Sequence, residues 1–304
     1  MRGLSRIFGA LLLTLSACAG DVSPAVGPPD AGQSRYARVR VDVSLPREGE
    51  PSVSTEARFL RVTDLDVEAA QVLAGASELP PELLPLGRCV RTSTDRLVDD
   101  ALAAASPDAQ VTMLDAGDLV VQAAGRPDRL SPRFIPELVP LVSGVWYDSE
   151  ATLDPTNAPP VYVGADAYVQ VTGFGGHDIG RFDSSVRLPP PPVVSRIGGV
   201  DPAEAPIVID RNADLEVLWQ SAPRGDDAFV VSLNWGHGEL LRCRAEGTRM
   251  VVRQAELADA LRGVDAANLS ISVERVRRVS WAAPGLDAAD LVVSVRDVVP
   301  ARLP

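Results

Sequence analysis

The chain has 304 residues, of which 46% are apolar, so it is long enough for one large domain or two ordinary domains with packed cores. Its formal net charge is −12, and its 29 basic residues, all arginine, are scattered among 41 acidic ones. A protein that binds a phosphate backbone needs a basic surface, so this charge balance excludes nucleic acid as a partner.

The first 17 residues have the pattern of a secretory signal peptide. Two arginines precede an apolar run at 7–15, and small residues lead to a cysteine in Leu15-Ser16-Ala17-Cys18. The apolar run is about half the ~20 residues that a transmembrane helix needs, so we expect cleavage rather than a membrane span.

Leu15-Ser16-Ala17-Cys18 resembles the lipobox of bacterial lipoproteins, which has an aliphatic residue, two small residues and then cysteine. The resemblance implies cleavage after Ala17, a diacylglyceryl group on the Cys18 thiol and acylation of its new amine. Several acyl chains hold a protein on a membrane durably. Ala19 follows the cysteine where that family uses Asp for retention at the inner membrane, so the resemblance implies the outer membrane. An ordinary cleaved signal is the alternative.

After the signal at 1–17, residues 18–35 are predicted to be the lipidated cysteine and a flexible tether, because they are small, polar and proline-rich. Residues 36–188 are predicted to form an elaborated β domain, since apolar residues alternate with polar ones. One helix is predicted over 94–105, and it ends at Ser106-Pro107. The strands are predicted at 39–45, 57–67, around Cys89, and at 110–114, 118–123, 138–147, 161–172 and 181–188.

Four consecutive prolines at 189–192 predict a stiff linker before a second domain at 193–304. Short strands follow one another there, with one helical turn at 255–262. Within the strand predicted at 268–281, the apolar parity changes between Val273 and Val276, which indicates a β-bulge. This rhythm resembles an immunoglobulin or fibronectin type III β-sandwich. We therefore expect a mainly β protein with two β-sandwich-like domains and one or two short helices.

Cys89 and Cys243 remain after lipidation of Cys18. An exported compartment permits a disulfide between them. Because each lies in a different predicted domain and in an apolar strand-like context, two buried free thiols are favoured over an inter-domain disulfide.

Residues with catalytic or metal-binding chemistry are few. The two histidines, His177 and His237, lie in glycine-rich loops, and a structural zinc site needs about four ligands. The glycine-rich run at 173–176 precedes a strand, whereas a dinucleotide-binding loop precedes a helix, so a hairpin turn is favoured. We predict no catalytic residues, no metal and no cofactor besides the covalent lipid on Cys18. A loose calcium site at 148–157 is the alternative.

Two loops are candidates for binding because they place aromatic side chains near strand ends. One loop carries Phe174, His177 and Asp178, and the other carries Trp235 and His237. Exposed aromatic rings stack on sugars or anchor protein partners.

The function that these features favour is a lipid-anchored, non-enzymatic binding or adaptor module. Its partner would be another envelope protein or an envelope glycan. Two alternatives stay open: a hydrolase of envelope polysaccharide or peptide, because paired carboxylates need no local motif, and a passive structural lipoprotein.

Overall fold

The computed structural model describes residues 33–48, 50–75, 80–92, 94–123, 126–130, 132–139, 142–152, 167–204, 206–221, 227–236, 238–264 and 268–304. The helices are α1 (Val67–Leu73), α2 (Thr94–Ala104) and α3 (Gln254–Ala260), with a 3-10 turn at Pro81–Leu83. The strands are β1 (Gln33–Pro46), β2 (Ser52–Thr63), β3 (Cys89–Arg91), β4 (Gln110–Met113), β5 (Leu119–Ala123), β6 (Arg126–Leu130), β7 (Arg133–Val139), β8 (Val142–Thr152), β9 (Tyr168–Gly173), β10 (Phe182–Arg187), β11 (Val193–Ile197), β12 (Ile207–Val208), β13 (Leu215–Gln220), β14 (Ala228–Trp235), β15 (Gly238–Ala245), β16 (Arg249–Val252), β17 (Leu269–Trp281) and β18 (Ala288–Arg302).

One long sheet runs through the molecule in the order β3-β15-β14-β17-β18-β1-β2-β4-β8-β7, with β12 beside the end of β18. The first and last strands of the described chain, β1 and β18, are neighbours near the centre of this sheet. Strand β1 runs parallel to β18 from Tyr36 opposite Ala288 to Pro46 opposite Val298, and antiparallel to β2 on its other side. The protein is therefore mainly β with a few short helices, as predicted.

A four-stranded sheet in the order β10-β9-β5-β6 covers one half of the long sheet. The alternating Val39, Val41 and Val43 of β1 lie fully buried between the two sheets, together with Phe59 and Phe182, whose rings are 5.8 Å apart. The period of two along β1 buries these valines because successive side chains point to opposite faces of a strand.

A three-stranded sheet, β11-β13-β16, and helix α3 cover the other half of the long sheet. Trp219 of β13 is buried there and its ring lies 5.8 Å from Phe229 of β14. The helix contributes Leu257 and Leu261 to the same core. The two halves are thus sandwich-like, and they share one sheet.

The prolines at 189–192 do not separate two independent sheets, so the predicted domain boundary needs correction. Strands β1 and β18 pair across this boundary, as do β3 and β15. Pro189 and Pro192 are buried. Beyond the prolines, Asp297 of β18 accepts a hydrogen bond from Val194 N at 2.8 Å, and the Arg47 guanidinium donates to Val194 O. The proline run is therefore held against the long sheet.

The predicted β-bulge in β17 is absent from the structure, because both faces of the long sheet are covered where this strand runs. The strand pairs with β18 without a register shift from Leu269 to Trp281. Val273 packs into the core under the three-stranded sheet, whereas Val276 packs on the other face with Val230 and Val292. The apolar side chains of β17 therefore switch from one face to the other along the strand, because a different face is covered by a core at Val273 and at Val276.

The helices cover parts of that second face. Ala70 of α1 and the following Ala74 pack on β2 and β4 against Leu60 and Met113. The predicted helix over 94–105 is confirmed as α2, and the predicted turn at 255–262 as α3. In the described part of the chain, no helix combines the length and apolar character needed to cross a membrane.

Candidate functional site

The loop predicted to bind through Phe174, His177 and Asp178 is braced from inside. The Asp178 carboxylate accepts a hydrogen bond from Asp115 N at 2.9 Å, and Asp178 N donates to Asp115 O at 3.0 Å. His177 projects outward, with its Nδ1 3.3 Å from the Asp178 carboxylate, and Phe174 is 56% exposed. Asp178 therefore holds the loop, while Phe174 and His177 are available to solvent.

The partner turn at 115–117 explains why this loop is rigid. The Asp115 carboxylate accepts from Gly117 N at 2.8 Å, and the Tyr147 hydroxyl oxygen accepts from Ala116 N at 2.9 Å. Burial raises the pKa of Tyr147 above its usual value of 10.0. A Cβ on Gly176 would lie 2.3 Å from Gly117 N, so the two backbones approach too closely for any side chain.

The second predicted loop places Trp235 at the tip of the hairpin formed by β14 and β15. Trp235 pairs with Gly238 across the turn, and its side chain is 40% exposed. His237 lies outside the described residues, as do the signal peptide at 1–17 and the predicted lipid site Cys18.

The two predicted loops lie at opposite ends of β17, so the structure does not bring them together. At the start of this strand, Trp235 is opposite Leu269. At its other end, Gly180 N donates to Pro284 O at 2.9 Å, three residues beyond Trp281. A strand of 13 residues spans about 40 Å. One ligand of ordinary size cannot contact both loops.

A surface groove of about 420 Å³ lies at the same end as Trp235. It forms where β1 leaves the edge of β18 and β12 takes its place: Arg47 N donates to Val298 O, and Ile207 is opposite Ala301. Pro300 lies between these two contacts and has no N–H to donate to a neighbouring strand. We call this groove, lined by residues 47–48, 202–204, 206–207 and 299–302, the distal groove.

The distal groove combines an aliphatic and proline wall with charges of both signs. The Arg47 guanidinium is held 3.1 Å from the Asp297 carboxylate. The exposed side chains of Glu48, Glu204 and Arg302 make no ion pair with another described residue. These three side chains are available to a ligand, and the groove volume falls in the range of roughly 300–1,000 Å³ typical of binding pockets.

No local sequence signal predicts the distal groove, because its walls come from three distant parts of the chain. The strand register relates it to Trp235: Ile207 is opposite Ala301, Ala301 is opposite Leu269, and Leu269 is opposite Trp235. Three strand spacings separate Ile207 from Trp235, which is about 15 Å. The groove and the hairpin therefore lie on one end of the long sheet.

Cys89 and Cys243 form a disulfide, which corrects the preference for two free thiols. The prediction assumed two separate domains, whereas β3 pairs with β15 and places the two cysteines directly opposite each other. The bond fixes β3 to the edge of the long sheet.

A network of buried charges crosses the second face of the long sheet. Arg40 lies 2.6 Å from Asp42 and 2.9 Å from Glu274, and Arg242 lies 2.9 Å from Glu274 and 3.0 Å from Glu239. Acids and arginines alternate through the network, so these carboxylates neutralise neighbouring guanidinium groups inside the fold. Among the described residues, no group of three or more His, Cys, Asp or Glu is placed to hold a metal ion.

Comparisons with known proteins assign this chain neither a family nor a function. No protein-family model matches the chain, and no curated protein matches it. Among solved structures, the Fcho1 Mu homology domain of Danio rerio with bound Eps15 peptide matches 90% of this chain and 97% of that chain, at 9% sequence identity and a TM-score of 0.24. A match at this TM-score supports neither a common fold nor a common ligand.

Proposed function

We propose that this chain is a lipid-anchored protein of the bacterial outer membrane that binds another envelope protein, without catalysis, through the distal groove. One observation carries the proposal: the described chain begins at one end of the long sheet, and the groove lies at the other. Arg35 N donates to the Asp287 carboxylate, so β1 starts beside the turn that joins β17 to β18. That turn is about 40 Å from the Trp235 end.

Export of the chain is supported by two independent features. The run Leu15-Ser16-Ala17-Cys18 resembles a lipobox, and Ala19 after it agrees with an outer-membrane address. The disulfide between Cys89 and Cys243 is typical of proteins in oxidising compartments.

The chemistry of the distal groove favours a peptide segment as its ligand. Glu48, Glu204 and Arg302 offer charges of both signs beside an aliphatic and proline wall, which suits a chain that alternates apolar and charged side chains. Sugar sites usually stack the ring on an aromatic side chain, and none of the described residues that line this groove is aromatic. An envelope glycan is the second candidate partner, and the exposed Trp235 ring favours it.

The lipid anchor is tested first, by labelling primary amines. The sequence contains no lysine, so no side chain competes for the label. The only primary amine of the processed chain is that of its first residue, so an amine-reactive ester has one possible target. We expect chain purified from the membrane to carry acyl mass on its Cys18 peptide and to resist the ester. A processed chain with a free amine and no acyl mass would overturn the anchor.

Partner binding is tested with the full chain carrying Cys18→Ala, immobilised by its amino-terminal end and exposed to solubilised envelope. We expect one protein to be captured stoichiometrically. Glu204→Arg in the groove should abolish capture of this protein. The control is Phe174→Ala at the opposite end, which removes an aromatic side chain that is exposed, as Trp235 is, and it should leave capture unchanged. Loss on Trp235→Ala with full retention on Glu204→Arg would move the site to the hairpin. Equal capture by every variant, or none by the parent, would overturn the groove as the binding site.

A further inference from the structure

We propose that the end of the molecule opposite the distal groove makes a second, direct contact with the bilayer that carries the lipid anchor. The contact surface, here called the proximal tip, consists of Phe174, Pro284 and Leu286. The inference rests on the proposed lipid anchor, and it adds an orientation: the long strands stand away from the membrane and present the groove outward.

The proximal tip lies where the amino-terminal chain enters the fold. Asp287 N donates to Arg35 O at 2.8 Å, and Arg35 N donates to the Asp287 carboxylate at 2.7 Å. On the other side of the same turn, Gly180 N donates to Pro284 O at 2.9 Å. Arg35, the turn at 282–287 and the loop at 173–181 are therefore joined side by side.

The proximal tip exposes apolar side chains on two segments that are hydrogen-bonded to each other. Phe174 is 56% exposed, Pro284 is exposed, and Leu286 is only partly buried against the core beneath it. Phe and Leu side chains of membrane-surface segments insert into the boundary between headgroups and acyl chains. The patch is small, so it needs the anchor to bring it to the membrane.

Rigidity of the tip favours such a contact, because little conformational freedom is lost when it binds. Asp178 holds the loop to the turn at Asp115, and Gly176 packs directly on Gly117. Phe174 N is fixed as well, since it donates to Asp118 O at 3.1 Å. The exposed ring therefore projects from a fixed backbone.

The chain enters the fold beside the proximal tip, so this end is held nearer to the anchor at Cys18 than the Trp235 end is. Fifteen residue steps extend at most about 50 Å. The tip lies beside the entry to β1, whereas Trp235 is about 40 Å farther along the strands. A tethered surface experiences a high effective concentration of its target, so even a weak apolar contact is populated.

The test is hydroxyl-radical footprinting of the lipidated chain in phosphatidylethanolamine and phosphatidylglycerol vesicles, compared with the Cys18→Ala chain added to the same vesicles. We expect oxidation of Phe174 to fall several-fold in the lipidated chain, while oxidation of Trp235, the internal control, stays the same. Equal oxidation of Phe174 in both samples would overturn the inference.

A second pair of variants checks the orientation with Leu286, instead of Phe174, as the residue whose oxidation is measured. Phe174→Asp should return the oxidation of Leu286 in the lipidated chain to the level of the Cys18→Ala chain, and Trp235→Asp should not. The mass of the Cys18 peptide in each sample separates the two proposals. Absence of acyl mass overturns the anchor itself, whereas acyl mass with an unprotected Phe174 overturns only the membrane contact.

Discussion

The Arg242 guanidinium lies 2.9 Å from the Glu274 carboxylate, although β14 runs between the strands that carry them. The side chain is 1% exposed, and it crosses β14 where the register places the small Ser232 opposite it. A larger side chain at Ser232 would occupy the space that the ion pair uses.

Removing one partner of this pair should destabilise the protein strongly. We expect Arg242→Met to lower the free energy of unfolding by about 3–5 kcal/mol, because it leaves the Glu274 carboxylate buried with less compensation. Urea unfolding at neutral pH measures the change.

The double variant Arg242→Met with Glu274→Leu serves as the matched control. It removes both charges, and Arg40 keeps its contact with Asp42, so we expect it to regain much of the lost stability. A single variant as stable as the parent would show that the pair contributes nothing to folding.

Reduction of the disulfide should also lower stability, through the unfolded state. Cys89 and Cys243 are 154 residues apart in sequence. Loop closure over that length restricts the unfolded chain by up to about 5 kcal/mol, and measured effects are typically about 2–4 kcal/mol. We expect the Cys89→Ala and Cys243→Ala double variant to melt earlier than the parent by calorimetry, and the unreduced parent to resist alkylation at both cysteines. Ready alkylation without reductant would contradict the disulfide.

Asp290 should make stability depend on pH in the acid range. Burial alone would raise the pKa of its carboxyl, but hydrogen bonds from Arg278 and Tyr36 lower this pKa below 3.8. A lowered pKa in the folded state adds stability above the unfolded value, and that stability is lost as the pH falls below about 4. We expect Asp290→Asn to cost about 1–3 kcal/mol at pH 7, with the difference from the parent shrinking below pH 4.

The control for this experiment is Asp183→Asn, which removes an exposed carboxylate on β10 that accepts a hydrogen bond from Thr172. Its unfolding free energy at pH 7 should be close to that of the parent, because this side chain is exposed. A constant difference in unfolding free energy between Asp290→Asn and the parent down to pH 2 would contradict the role assigned to the pair of Arg278 and Asp290.

Local patterns in the sequence predict many of the elements but not their arrangement, and they miss helix α1 and strand β6. The alternation of Val39, Val41 and Val43 predicted β1 because one face of that strand is buried in a single core. It carries no information about which strand lies beside it, and β1 pairs with β18 some 250 residues away. The distal groove depends on that pairing, and so no residue in it was predicted.

Two predicted features differ from the structure, each for its own physical reason. Val273 and Val276 were interpreted as a bulge because the periodicity rule assumes that one face of a strand is buried, whereas β17 is buried on both. The cysteines were expected to stay apart because proline-rich runs usually separate domains. Here the prolines at 189–192 pack against the shared sheet.

Tyr147 should give a second pH dependence, in the alkaline range. Burial raises the pKa of its hydroxyl above 10.0, so the folded protein keeps the proton where the unfolded chain releases it. The resulting stability is fully present below pH 10 and is lost as the pH rises beyond it, by about 1.4 kcal/mol per unit. Tyr147→Phe should cost about 1–3 kcal/mol at pH 8, because Ala116 N loses its acceptor.

Above pH 10 this cost should shrink, since only the parent can release the Tyr147 proton on unfolding. Urea unfolding of both proteins from pH 8 to pH 11 tests this, with Tyr168→Phe, which alters a half-exposed ring on β9, as the control. Parallel stability curves for the parent and Tyr147→Phe would mean that the hydroxyl ionises as easily in the fold as in the unfolded chain. The brace between Ala116 and Tyr147 would then not be closed to solvent, and the rigidity ascribed to the loop carrying Phe174 would lose one of its supports.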